Sequence, residues 1–245
     1  MLPPSNDFDL VKTNAYYNID AQGSEIIKRG LGRLVTATNF NGNEVVMQAN
    51  AMAGVTTAMQ IIETGKIQLL AKIAREKIQD FKVVVCVNFT ESLKDLEGIL
   101  KDLGPLILNG AVPEAKRADI LSKFQQPNRD FSLLLCNQAV VSTGIDLDDK
   151  EGSFPRFCIV SPTYSTITMY QLAHRFQRAD TKSSATIQMI FAKREGVKKE
   201  ACSDIIELRV LDALGRKSQV MKDTTPDQDA AGIVFPGDYD DWEEV

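Results

Sequence analysis

Two arginines stand three residues apart in the stretch QLAHRFQRADT, which covers residues 171–181 and also holds the chain's only histidine, His174. The spacing of Arg175 and Arg178 predicts that they share one helix face, where two guanidinium groups repel each other unless an anion lies in front of them. That anion could be a neighbouring carboxylate or a phosphate. Gln171 precedes them on the same predicted helical stripe, and one amide with two guanidiniums suits an anion that has several oxygens.

A second polar stretch, NQAVVSTGIDLDD at residues 137–149, follows a predicted strand. Gly144 would let the backbone approach a ligand closely, and Asp146 could accept a hydrogen bond from a hydroxyl such as that of a ribose. Because open parallel sheets bind ligands at the carboxyl ends of their strands, we expect both stretches at that edge. Each feature taken alone is also typical of an ordinary surface: solvated arginines, a turn glycine and a packed imidazole.

Apolar strand-like runs alternate with amphipathic helical segments from Phe81 to Phe191. Thr90 is predicted as the N-cap of the first of these helices, and a further helix is predicted over residues 62–80. The predicted strands are KVVVCVNF, LILNG, DFSLLLCNQ, FPRFCIVSP and ATIQMIFA. Such alternation predicts an α/β fold whose parallel sheet is sandwiched between helices.

Composition narrows the class of protein further. No apolar run approaches the length that spans a bilayer, and the N-terminus lacks a secretory signal, so we expect a soluble, intracellular chain without membrane contact. The four cysteines form no C-x-x-C pair, and three of them lie in apolar runs, where a thiol behaves as a small hydrophobe. Neither a disulfide framework nor a metal site is predicted.

The sequence divides into three predicted segments. Residues 1–61 form an irregular N-terminal extension to which the sequence assigns no definite structure, although NFNGNEVVMQ is typical of a hairpin. Residues 62–222 form the α/β domain, which ends in the predicted helix KKEACSDIIELRVLDAL. Residues 223–245 form a flexible acidic tail with eight acidic residues and no basic one, and removing these eight negative charges from the net charge of −5 leaves a body of +3.

Taken in order, four stretches resemble the second RecA-like domain of superfamily 2 helicases and translocases. KVVVCVNFTESLKDL resembles motif IV, NGAVPEAKRADILSKFQQP the segment after it, LLLCNQAVVSTGIDL motif V and QLAHRFQR motif VI. The resemblance covers roughly residues 66–191. The layout from SPTYS to ATIQMIF is also similar to helicases of large DNA viruses.

The resemblance implies a role for each matching position. Arg175 and Arg178 would be arginine fingers that face ATP, which with Mg²⁺ would be bound mainly by an N-terminal RecA-like partner domain in cis or in trans. Gln171, Gly144 and Asp146 would contact this nucleotide, Asp146 at the ribose or at a finger. The residues that would contact the backbone of DNA or RNA are Asn88, Thr90, Gly110, Asn137 and Gln138, with Lys116 and Arg117 as weaker candidates.

The chain departs from the family pattern at several points. His174 stands where motif VI usually has glycine, Gln138 where many relatives have threonine, and Thr143 where some have arginine. The sequence holds no G-x-x-x-x-G-K-[ST] phosphate loop, since ETGKI has only the Gly-Lys pair, and no strand ends in an Asp-Glu pair. The chain is therefore predicted to hydrolyse no ATP alone and to be the carboxyl half of a two-domain motor.

Two alternatives remain open at this point. One is a non-motor α/β module that binds nucleic acid or a protein partner, with the acidic tail as a partner-binding arm or a mimic of nucleic acid. The other is an unrelated doubly wound enzyme that binds a nucleotide or sugar at the GID loop, although no G-x-G-x-x-G fingerprint follows the first strand.

Overall fold

A computed structural model describes residues 8, 10–41, 44–47, 51–141, 144–152, 154–163, 165–193 and 243–244. The strands in this part of the chain are β1 (Leu10–Asn18), β2 (Thr38–Asn41), β3 (Glu44–Met47), β4 (Lys82–Val87), β5 (Leu106–Leu108), β6 (Leu133–Asn137), β7 (Arg156–Val160), β8 (Ala185–Lys193) and β9 (Glu243–Glu244). The helices are α1 (Ala21–Ala37), α2 (Ala51–Gly65), α3 (Ile67–Lys77), α4 (Thr90–Ile99), α5 (Glu114–Gln125), α6 (Gln138–Val141) and α7 (Thr166–Ala173).

The main sheet has the strand order β5-β6-β4-β7-β8-β1-β9, and every pairing in it is parallel. Strands β4, β6 and β7 are buried along their whole length because helices cover both faces, which explains their unbroken apolar runs. Side chains of α3 and α4 pack on one face, whereas α5, α6 and α7 pack on the other. The predicted parallel sheet sandwiched between helices is confirmed.

Three cysteines lie side by side on neighbouring strands within this core. The Sγ atom of Cys86 is 3.3 Å from that of Cys136 and 3.7 Å from that of Cys158, and all three side chains are fully buried. Their prediction as small core residues is confirmed, while Cys202 lies outside the described residues.

The N-terminal segment, which the sequence left without a structure, supplies a strand and a helical hairpin. Strand β1 pairs along nine residues with β8, and β2 pairs with β3 in the predicted hairpin between α1 and α2. The division at residue 62 stays a prediction. The predicted C-terminal helix and the acidic tail lie outside the described residues, apart from the two residues of β9.

Two local predictions are corrected. The helix predicted over residues 62–80 is interrupted at Lys66, so that α2 ends and α3 begins on either side of it. Thr90 is the first residue of α4 and Phe89, in an extended conformation, is the N-cap. The buried Glu63 carboxylate accepts the backbone N–H groups of Asn88 and Phe89 just before the helix. Among the described helices, none is both long and apolar enough to cross a membrane.

Helices α1 and α2 pack closely because glycines lie at their interface. A Cβ atom on Gly30 would lie 2.8 Å from Ile62 Cγ1 and 3.1 Å from the Ala58 carbonyl oxygen. We therefore expect Gly30→Ala to lower the free energy of unfolding by about 1 kcal/mol, since overpacking outweighs the gain in helix propensity. The matched change Gly98→Ala, on an exposed and open site of α4, should raise it by about 0.5–1 kcal/mol. Urea unfolding of both variants checks the opposite signs, and equal effects would contradict the close packing.

Candidate functional site

The two arginines predicted to share a helical stripe lie beyond the end of their helix. Helix α7 ends at Ala173, and the N–H groups of His174, Arg175 and Phe176 donate to carbonyls four, three and three residues earlier, which closes the helix with tight turns. Phe176 then enters the core with no exposed surface. The predicted stripe is therefore wrong, and Arg175 and Arg178 belong to the loop before β8.

This loop meets the loop that carries Asp146. The Arg178 Nη2 atom lies 3.1 Å from Asp146 Oδ1, and Lys150 Nζ lies 3.3 Å from Asp146 Oδ2. The backbones are joined as well, because the Leu147 N–H donates to the Arg175 carbonyl oxygen at 2.8 Å. A carboxylate is thus one anion that faces the two guanidiniums.

Positive and negative side chains are mixed in this cluster. Burial lowers the pKa of Arg175, the neighbouring Arg178 cation lowers it further, and Asp146 opposes both effects. Asp146 pairs with Arg178 and Lys150, and Asp148 and Asp180 also raise the pKa of Lys150. Both Arg178 and Asp146 keep more than a third of their side-chain surface exposed, so an anion from solvent can reach them.

This cluster lies at the amino edge of the sheet, opposite to the edge we expected. Arg156 is the first residue of β7, and its Nε donates to the Leu147 carbonyl oxygen at 3.1 Å. Gln125, the last residue of α5, donates to the Asp146 carbonyl oxygen at 3.2 Å. Each crossover helix returns the chain to the amino ends of the strands, so the loops that follow α6 and α7 meet there.

A buried arginine holds the Asp146 loop in place. Arg156 is 1% exposed, and its guanidinium donates to the carbonyl oxygens of Leu147, Asp148 and Phe154 and to Gln125 Oε1 at 2.7–3.3 Å. Burial lowers the pKa of Arg156 to about 10, against the effect of the nearby acids. Arg156 was not among the predicted site residues, although an arginine at the start of an apolar strand was a signal.

Two buried acids fix the remaining backbone of the amino edge. Asp149 accepts hydrogen bonds from Ser183 Oγ and from three backbone N–H groups of residues 151–154; burial alone would raise its pKa, but these bonds lower it. Thr181 Oγ1 accepts the N–H of Arg178 at 2.7 Å and donates to Asp148 Oδ2 at 3.2 Å. Burial raises the pKa of Asp148. These contacts couple the Asp146 loop to the arginine loop.

The other predicted nucleotide contacts lie around this cluster. Gly144 adopts a φ of +69°, a conformation that other residues rarely take, two residues before Asp146. Gln171 is exposed in the last turn of α7. His174, which stands in place of the usual glycine, caps α7 and packs edge-on against Tyr170 at 4.3 Å. Thr143 lies outside the described residues.

The predicted nucleic-acid contacts lie at the opposite, carboxyl edge, where they differ in exposure. Thr90, Gly110 and Lys116 are exposed. Asn137 is 7% exposed, and Gln138 is 2% exposed with its amide Nε2 donating to the Ser161 carbonyl oxygen. In this conformation Gln138 offers almost no side-chain surface to a phosphate.

Two further members of this set are partly occupied by contacts within the chain. Asn88 donates its amide to Glu63 at 2.8 Å and to the Pro162 carbonyl oxygen at 3.0 Å. Arg117 Nε donates to the Val112 carbonyl oxygen at 2.9 Å. Contact of either with nucleic acid stays a prediction.

Two buried charges that the sequence analysis did not select organise the carboxyl edge. Glu63 is 2% exposed and accepts the Asn88 side chain and the backbone N–H groups before α4. Lys66 has no exposed surface, and its Nζ donates to Ser161 Oγ at 3.2 Å and to the Ile190 carbonyl oxygen at 3.3 Å. Their signal was present in IIETGKIQLL, where two charges interrupt an apolar run.

The fold is shared with solved ATPase domains. The chain is similar to the C-terminal part of the Fun30 ATPase domain (TM-score 0.61, 15% identity, 84% of this chain and 89% of that one). It is also similar to the Sulfolobus solfataricus SWI2/SNF2 ATPase C-terminal domain (TM-score 0.53, 16% identity, 91% of this chain and 92% of that one). The match to the Sulfolobus solfataricus SWI2/SNF2 ATPase core in complex with dsDNA (TM-score 0.57, 17% identity) covers 91% of this chain but only 48% of that one. The fold is therefore RecA-like, as in helicase C-terminal domains.

A family model matches the central segment of the sequence. Residues 65–180, a little under half of the chain, match the model of the helicase conserved C-terminal domain. A sequence comparison with curated proteins found no match. This match agrees with the predicted resemblance to a helicase C-terminal domain over that segment, whereas membership of superfamily 2 and a relation to large DNA viruses stay predictions.

Proposed function

We propose that this chain is the second motor domain of an ATP-dependent nucleic-acid helicase or translocase. The observation that carries the proposal is the amino-edge cluster, in which the adjacent Arg175 and Arg178 meet Asp146 at a partly exposed site. The position of this cluster within a segment that matches the helicase C-terminal family supports it.

The donor set fits the phosphate end of a nucleotide. Two adjacent guanidiniums present forked donors to an anion with several oxygens, and neither the sequence nor this cluster supplies a phosphate loop. ATP with Mg²⁺, held mainly by a phosphate-loop partner domain, supplies the phosphoanhydride bond that is hydrolysed. Arg175 and Arg178 would stabilise the negative charge that develops during phosphoryl transfer, and Gln171 would orient the bound nucleotide.

Asp146 has a role in the absence of a nucleotide. Its carboxylate holds Arg178 at 3.1 Å and Lys150 at 3.3 Å, which keeps the guanidinium directed along the amino edge before an anion arrives. A phosphate with higher charge would then compete with Asp146 for Arg178. Release of Asp146 would free it for the ribose contact that the family resemblance implies.

The carboxyl edge would contact the nucleic-acid backbone. The dsDNA complex of the Sulfolobus solfataricus SWI2/SNF2 ATPase core, which shares the fold, supports a nucleic-acid partner. Thr90, Gly110 and Lys116 are the exposed candidates for phosphate contacts, whereas Glu63 and Lys66 would position the loops that carry them. Nucleotide and nucleic acid would thus act on opposite edges of one sheet.

A reconstitution experiment tests this function. The isolated chain should release no phosphate from ATP above the buffer rate, with or without nucleic acid, because it lacks a phosphate loop. Addition of its phosphate-loop partner domain should produce ATP hydrolysis, and ATP should change the affinity of the assembly for a labelled oligonucleotide. Hydrolysis by the purified chain alone would contradict the proposal. If ATP left the affinity of the assembly for the oligonucleotide unchanged, the chain would instead be a non-motor binding module.

A further inference from the structure

Helix α1 carries three exposed cationic side chains on one part of its surface. Lys28, Arg29 and Arg33 are all exposed, and the side chains of Arg29 and Arg33 make no hydrogen bond or ion pair within the described part of the chain. Lys28 has only a loose contact of 3.9 Å with Glu25, and both of these side chains are about two-thirds exposed. Glu25 is the one acidic residue that the described face of α1 presents.

Gly32 lies on the exposed side of α1. Gly30 faces α2, where a Cβ would clash, but a Cβ on Gly32 would meet no atom within 4 Å. Glycine in a helix interior is destabilising relative to alanine. By helical spacing Gly32 lies one turn after Lys28 and Arg29, and its small surface lets a ligand backbone approach closely beside these two side chains.

The position of α1 connects these cations to the carboxyl edge. Strand β1 ends at Asn18, and α1 begins three residues later with Asp20 Oδ1 accepting the Gly23 N–H at 2.7 Å. Gly23 packs against Gly65, the neighbour of Lys66, which binds Ser161 at the carboxyl end of β7. Arg29 therefore lies about 12 Å along the helix from this edge.

We propose that Lys28, Arg29 and Arg33 of α1 form a second nucleic-acid contact, which binds backbone phosphates of the same molecule that lies on the carboxyl edge. Gly32 lets that backbone approach the helix beside Lys28 and Arg29. The inference rests on the proposed function and adds to it a binding surface outside the segment that matches the helicase family. Phosphates fit because the surface offers several long cationic side chains and almost no acid.

The test is a salt titration of duplex binding. The native chain, the variant K28Q/R29Q/R33Q and the control K72Q/K94Q/K101Q, which removes three exposed lysines elsewhere, are titrated with a labelled DNA duplex between about 50 and 200 mM KCl. The α1 variant should bind about tenfold more weakly, and its slope of log affinity against log salt should fall by about 0.9 per lost phosphate contact. The control should keep the native slope, and circular dichroism checks that both variants are folded.

Each outcome decides the question. If the α1 variant and the control bind alike, the second contact is overturned while the proposed function stands; if the native chain binds neither duplex nor single strand, the second contact is overturned as well, and the reconstitution experiment decides the proposed function separately. Tighter binding of the duplex by the α1 variant would also overturn the second contact, because the cations would then interact with the chain's own acidic tail and not with nucleic acid. Gly32→Ala should raise the melting temperature and yet weaken duplex binding. Unchanged duplex binding would show that Gly32 is not part of the proposed nucleic-acid contact.

Discussion

Replacing Arg178 by alanine should lower the ATPase rate of the assembled motor by at least about 1,000-fold, the usual effect of losing an arginine finger. The guanidinium lies at the exposed rim of the amino-edge cluster, 3.1 Å from Asp146, and contributes little to the core. With the proposed role, the loss should appear in kcat far more than in KM, since the guanidinium would act on charge that develops in the transition state. Steady-state phosphate release at saturating nucleic acid measures it.

Two further variants separate the finger from a general loss of charge. Lys182→Ala removes an exposed cation from the same loop and should leave the rate within about twofold of the native value. Arg178→Lys keeps the charge but not the planar fork, so most of the loss should remain. If Arg178→Ala retained native turnover while folding normally, the cluster would have to be assigned to another task.

The order of the strands and helices could be predicted from the sequence because it depends on local patterns. The runs KVVVC, LLLC and FCIV are unbroken since each strand is buried on both faces, and the helices between them show apolar residues at helical spacing. Strand β1 gave no such signal. Its partner β8 lies 175 residues later in the chain (Leu10 pairs with Ala185), and a parallel pairing over that distance leaves no local pattern.

The edge on which the arginines lie could have been derived from topology but not from spacing. A right-handed crossover leaves the carboxyl edge at the start of its helix and returns to the amino edge at its end. Arg175 follows the end of α7 and so belongs to the amino edge. The spacing of Gln171, Arg175 and Arg178 suggested that the helix continues, but the chain leaves the helix after Ala173, and Phe176 enters the core from the turn that follows.

The largest effect on stability should follow from Arg156→Met. This side chain is 1% exposed, stacks 5.1 Å above the Phe124 ring and donates to three carbonyl oxygens and to Gln125, none of which would find a new donor in the variant. Unsatisfied buried acceptors and a buried Asp149 that loses its cation 3.9 Å away together predict a loss of about 3–5 kcal/mol in the free energy of unfolding. Urea denaturation at neutral pH measures it.

Arg75→Met is the matched control, because Arg75 also pairs with a carboxylate, Asp102, at 2.6 Å but on the exposed surface. Water can hydrate the Asp102 carboxylate after Arg75 is replaced, so Arg75→Met should unfold close to the urea midpoint of the native chain. Arg156→Lys should fall between the two, since one ammonium cannot reach four acceptors. A loss in Arg156→Met no larger than in Arg75→Met would show that the amino-edge loops are held by their own backbone contacts. Asp146 and Arg178 would then keep their positions without this buried guanidinium.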